Sequence, residues 1–131
     1  MKKSLMLAVA MVFATGAALA ADPLEGTWRT APDDNGNSGL IEVKPCGTSF
    51  CGVLVKSFDP NGKEMKSPNV GKRIIWDMEA QGGGKYGGGK IWSPDKDKTY
   101  SSKLNLNGDT LGVKGCIFIV CRDGGQWSRV K

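Results

Sequence analysis

"TYSSKLNLNGDTLGVKG" occupies residues 99–115, and its alternation decides the fold class. Tyr100, Ser102, Leu104 and Leu106 fall on one side, Lys103 and Asn105 on the other. That period of two marks a strand with one face turned inward. Asn107-Gly108 is a hairpin signal, and Leu111 and Val113 then align on a returning strand.

Working outward, the same grammar recurs. "GLIEVKP" (39–45) sets Ile41 and Val43 against Glu42 and Lys44. In "CGVLVKSF" (51–58), Val53 and Val55 share a face, with Leu54 and Lys56 opposite. "GGQWSRVK" at the C-terminus sets Trp127 and Arg129 together. With "GTWRT" (26–30), "RIIW" (73–76) and "YGGGKIW" (86–92), about eight short strands are predicted. Clusters of Gly, Asn, Asp and Pro separate them, and 19 glycines disfavour helix interiors. The expectation is an all-β chain, an antiparallel meander that closes into a barrel or folds into a sandwich. The segment 77–89, "DMEAQGGGKYGGG", is read as either a flexible loop or a glycine-rich hairpin.

The N-terminus carries different information. Lys2 and Lys3 precede an apolar run from Leu5 to Ala14, and Ala18-Leu19-Ala20 gives a small-x-small cleavage site. These are the parts of a secretory signal peptide, expected over residues 1–20 and removed before Ala21. The run is short for a membrane span of about 20 residues, and no stop-transfer cluster follows. The remainder, 21–131, suits one domain. Losing Lys2 and Lys3 lowers the net charge from +5 to +3, with no long basic run, so nucleic acid is not the expected partner. The location implied is periplasmic or secreted, with a monomer expected and no membrane span after cleavage.

Export bears on the four cysteines, Cys46 and Cys51 in "CGTSFC" and Cys116 and Cys121 in "CIFIVC". The chain has no histidine, so zinc would need an all-cysteine site, and Cys-x-x-Cys is absent. An oxidising compartment favours disulfides over a metal. Of three connectivities, two local clips are the expectation: Cys46 and Cys51 as the last cross-strand pair around the loop "GTSF", and Cys116 with Cys121 around a less turn-like "IFIV". No metal or cofactor is anticipated.

Without histidine, Ser-His-Asp, Cys-His and histidine-based zinc sites are excluded. The acidic residues sit in turns, where Asp caps its own backbone. "GGGKYGGGK" lacks the spaced Gly-Lys-Ser/Thr of a phosphate loop. An enzyme is not expected. Trp28, Trp76, Trp92, Trp127, Tyr86 and Tyr100 interleave with basic residues as a stacking platform would, yet core packing accounts for them at least as well. The strands look shorter than the roughly 9–11 residues of an outer-membrane barrel.

The residues from 86 to 129 resemble the C-terminal half of a family of small exported bacterial proteins, domain of unknown function 2147. The match runs through Gly88-Gly89-Lys90-Ile91-Trp92, Pro94, Thr99-Tyr100-Ser101 and Gly108-Asp109. It continues through Leu111, Val113, Gly115-Cys116, Trp127, Arg129 and Val130. Gly26-Thr27-Trp28 and "PCGTSFCG" add to it upstream. One departure stands out: a longer stretch with an Asn-Pro-Asp element is replaced here by "KSPNVGKRIIWDM" (66–78).

The resemblance implies a small up-and-down, lipocalin-like barrel. It also implies a closed end at which the Arg129 guanidinium covers the Trp28 ring beside Gly26, a contact worth about 0.5–2 kcal/mol. A barrel of this kind can hold one small ligand. Tyr100 and Trp76 are the candidate lining residues, and the ligand would be small or partly polar. The rival expectation is an envelope protein-interaction module, an inhibitor or assembly factor, acting through the loops 31–39, 57–72 and 77–89.

Overall fold

The computed structural model describes residues 21–131; the expected signal peptide falls on residues 1–20, outside the described residues. Nine strands follow in order: β1 (Gly26–Arg29), β2 (Ser38–Cys46), β3 (Ser49–Phe58), β4 (Glu64–Met65), β5 (Arg73–Gly82), β6 (Lys85–Ser93), β7 (Lys98–Asn107), β8 (Thr110–Ile117) and β9 (Val120–Arg129). Each pairs antiparallel with its chain neighbour, except that β5 pairs with β3 past β4. The pairing of β1 with both β2 and β9 closes the ring. Eight strands therefore form an up-and-down barrel, and β4 is a short addition on the free part of the β3 edge.

Closure gives each of the eight strands a partner on both sides, although β1 meets β9 over only two residue pairs. Its interior holds Trp28, Ile41, Val43, Leu54, Ile75, Met78, Leu104, Leu111, Val113 and Trp127, all buried. The decisive stretch behaves as its alternation predicts, with Ser102 and Leu104 buried and Lys103 exposed. The turn itself falls one residue later, on Gly108-Asp109, because Asn107 pairs with Thr110 and Gly108 takes φ +62°. Glycine at the first central position suits a two-residue hairpin.

One expectation needs correction, and two open readings close. The strands are long, mostly 8 to 10 residues, so length does not separate this barrel from a membrane one. Face chemistry does: Glu42, Lys90, Lys103 and Lys114 project outward mid-strand, where a lipid-facing barrel is apolar. In β3 Leu54 is buried, with Cys51 and Ser57, while Val53 and Val55 are half-buried. "VLV" is apolar on both faces, so alternation could not choose between them, and the space left by Gly52 for Ile41 does. Segment 77–89 is a hairpin, with the turn at Gly83-Gly84.

Both cysteine pairs are local disulfides, Cys46–Cys51 and Cys116–Cys121. Their positions invert the hairpin expectation. Cys116 directly opposes Cys121, whereas Cys46 opposes Ser49 and Cys51 opposes Lys44. The loop after Cys46 shrinks to Gly47-Thr48, so "GTSF" is only half loop and that disulfide runs diagonally. Each ring of six residues contributes roughly 2 kcal/mol through loop entropy.

Candidate functional site

The two ends of the barrel differ. Residues 30–37, 59–72, 94–97 and 118–119 connect strands at one end, and Gly47-Thr48, Gly83-Gly84 and Gly108-Asp109 connect them at the other. The first end holds an open cavity of about 660 Å³. Its floor is apolar, made by Ile41, Leu54, Ile74, Ile91, Val113 and Trp127. Its rim is polar and carries charges of both signs, including Asp33, Asp34, Asp95, Lys96, Arg122 and Asp123.

The rim loops owe their shape to their own acidic residues. Asp33 Oδ1 accepts hydrogen bonds from the Asn35 and Asn37 amides at 2.9 and 3.0 Å. Asp59 Oδ1 accepts from Asn61 and Lys63, both at 2.9 Å, and Asp123 Oδ1 accepts from Gly125 at 2.8 Å. Asp95 accepts from the Ser93 hydroxyl, and Asp97 from Trp92 Nε1–H at 3.0 Å. These carboxylates hold turns in place. Among the described residues no three His, Cys, Asp or Glu side chains gather as a metal cluster would.

Of the two lining candidates, Tyr100 stands at the mouth, its ring against Gly115, where an added Cβ would sit 3.1 Å from Tyr100 Cβ. Trp76 does not line the cavity. It lies outside, with the Arg73 guanidinium 5.8 Å from its ring centroid. Strict alternation fails along "RIIW": Ile74 and Ile75 are both buried, and Trp76 is only partly so. The other aromatics at the cavity, beside Tyr100, are Trp92 and Trp127. Of these, Trp127 alone had a signal in the sequence, through the face it shares with Arg129. The three loops of the rival reading do not form one surface, because 31–39 and 57–72 border the mouth while the 77–89 hairpin turns at the far end.

That far end is closed. Trp28 is fully buried and donates its Nε1–H to the Leu24 carbonyl at 2.9 Å. The Arg129 guanidinium lies 4.3 Å from the Trp28 ring centroid. It donates to Pro23 O at 2.5 Å, Glu25 O at 3.1 Å and Asp109 Oδ1 at 3.0 Å. Gly26 adopts φ +133°, and a Cβ there would stand 3.1 Å from Arg129 Nη1, so glycine makes room for the guanidinium. The hydrogen bond from Lys131, opposed in part by burial and aided by the Lys131 charge and by Arg129, holds the Asp109 carboxyl below its ordinary value. Deeper in, the Tyr86 hydroxyl donates to Asp22 Oδ1 at 2.5 Å.

Residues 26–129 match the model of a family described as an uncharacterized protein conserved in bacteria, DUF2147. The chain belongs to that family. Among solved structures it is similar to protein HP1028 from Helicobacter pylori, described as belonging to the lipocalin family, with a TM-score of 0.65. Identity is 19%, and the match covers 85% of this chain and 84% of that one, a likeness of fold alone. No curated protein matches the sequence.

In this DUF2147 chain the closed end has a pH signature. Burial first, and then the hydrogen bond to Asp22 and its negative charge, raise the Tyr86 phenol above its ordinary pKa near 10. Below that value both folded and unfolded chains keep the proton, and stability is unaffected. Above it the unfolded chain loses the proton first, so stability falls as pH climbs further. Tyr86→Phe is therefore expected to cost about 1 kcal/mol at neutral pH. That gap should narrow from about pH 10 upward, measured by urea unfolding across the alkaline range. A gap constant with pH would show that the phenol does not titrate differently on folding.

Proposed function

We propose that this is an exported, non-enzymatic barrel that holds one small amphiphilic ligand in its open-end cavity. The observation that carries the reading is the cavity itself. About 660 Å³ lies within the range of small-molecule sites, and an apolar floor under a polar rim fits a molecule with an apolar body and a polar end. Two disulfides and the signal-like N-terminus support an oxidising compartment.

Ile91 is only half-buried and faces the cavity, so a larger side chain can grow into the space without displacing the core. Titration with anilinonaphthalene sulfonate, a fluorescent amphiphile, is expected to saturate at one molecule per chain. Ile91→Trp should weaken that binding at least about tenfold while leaving the fold intact. Binding that Ile91→Trp leaves unchanged would place the probe elsewhere and overturn the reading. Native mass spectrometry of protein purified from its own envelope should then show an adduct in the wild type and none in the variant.

A further inference from the structure

One feature of the open end lies outside the cavity. At the β8–β9 turn, Phe118 and Ile119 are each 95% exposed, flanked by Val120 at 65% and Ile117 at 49%. The other exposed large apolar residues, Val70 and Val130, lie outside this run. This run of four is held out by its own construction. Ile117 pairs with Val120, and the disulfide between directly opposed Cys116 and Cys121 ties the arms immediately below. Phe118 adopts φ +55°, a conformation that bulky residues rarely take and that two-residue turns normally fill with glycine. An exposed phenylalanine at a glycine position is costly in folding terms twice over, which points to use of the tip.

The sequence around it is "KGCIFIVCRD", with Lys114 on one arm and Arg122 on the other; Asp123, which opposes Lys114 in the register, is turned to the Gly125 amide. Neither cation takes part in an ion pair among the described residues. At about 3.3 Å per residue the cations stand roughly 10–13 Å behind the tip. That is near the depth at which an apolar insertion of about 5–10 Å would bring them to the phosphates. The tip is narrow and convex. Four side chains offer only a few hundred Å², short of the roughly 800 Å² per partner of a stable protein interface.

We infer that the β8–β9 turn is a membrane-docking finger: Phe118 and Ile119 enter an anionic phospholipid bilayer while Lys114 and Arg122 meet its phosphates. Docking in this way turns the cavity mouth toward the lipid. The inference does not depend on the cavity being occupied.

The test is flotation of the protein, secreted by an exporting host and purified without reductant, with vesicles of phosphatidylglycerol and phosphatidylethanolamine. Wild type should float with them, and Phe118→Gly combined with Ile119→Ser should cut partitioning by about tenfold or more. Glycine suits the turn, so this double variant is expected to fold at least as well as the parent. Lys114→Glu with Arg122→Glu should lower binding to these vesicles more than to neutral phosphatidylcholine ones. Ile91→Trp should leave vesicle binding unchanged, which separates this test from that of the cavity. A folded wild type that ignores vesicles overturns the proposal, as does undiminished binding by the double variant. A concentration-dependent dimer that the double variant abolishes, without vesicle binding, assigns the tip to a second copy instead and overturns it too.

Discussion

Replacing Trp28 by alanine is expected to lower the unfolding free energy by about 4 kcal/mol, a large part of the roughly 5–15 kcal/mol of a typical domain. Three losses coincide at this side chain. Its fully buried ring leaves a cavity at the closed end. The Leu24 carbonyl loses the Nε1–H donor that pairs with it. The Arg129 guanidinium loses the ring beneath it while still held to Pro23, Glu25 and Asp109. Urea unfolding of wild type, Trp28→Phe and Trp28→Ala separates these effects. Trp28→Phe keeps an aromatic surface for the cation but not the hydrogen bond, and should cost about 1–2 kcal/mol. Equal losses in both variants would mean that the hydrogen bond, not the ring, holds the end shut.

That end explains why the cavity lies where it does. Residues 22–25 cross the base of the barrel, bringing Leu24 into the core and Asp22 to Tyr86. Arg129, more than a hundred residues later, ties the same segment by two carbonyls. At the opposite end the connections, held by Asp33, Asp59 and Asp123, surround an open cavity whose floor side chains are packed into the core, with Ile91 only half-buried. One end is plugged by residues 22–25, and the other stays open.

Much of this was legible in residues with one-sided alternation. "TYSSKLNL" and "LIEVKP" gave strand, face and partner because a polar side chain sits at every second place. Legibility failed wherever both faces were apolar or neither had a side chain. "VLV" at 53–55 concealed which residue turns inward, and "RIIW" concealed that Trp76 turns out. The cavity suffered most, because it is made by side chains from different strands meeting at one height. Ile91, Val113 and Trp127 carry no shared spacing that a sequence could display. The finger was visible as an odd apolar turn, but its exposure depended on Cys116 opposing Cys121, a matter of register.

Glycines 87–89 were the least legible, and Gly89→Ala is the second large effect expected, at about 3 kcal/mol. Here β5 shifts register against β3 and β6 against β7: Ile75 and Met78 are both buried although three residues apart, and Asp77 between them takes φ +55°. These shifts press the β5 backbone against Gly89. A Cβ there would lie 2.4 Å from Trp76 O, 2.8 Å from Met78 N and 2.9 Å from the Asp77 carbonyl carbon. These are backbone atoms, so relief requires the two strands to part. Gly83→Ala is the control, since its turn has φ +64° and nothing within 4 Å, leaving only a conformational cost of about 1 kcal/mol. Thermal unfolding of the two variants should therefore rank Gly89→Ala clearly below Gly83→Ala, and similar midpoints would mean the strands part without penalty. The consequence reaches the site as well. Ile91, two residues along β6, forms part of the cavity floor, so Gly89→Ala should also weaken anilinonaphthalene sulfonate binding, and Gly83→Ala, at the other end of the barrel, should not.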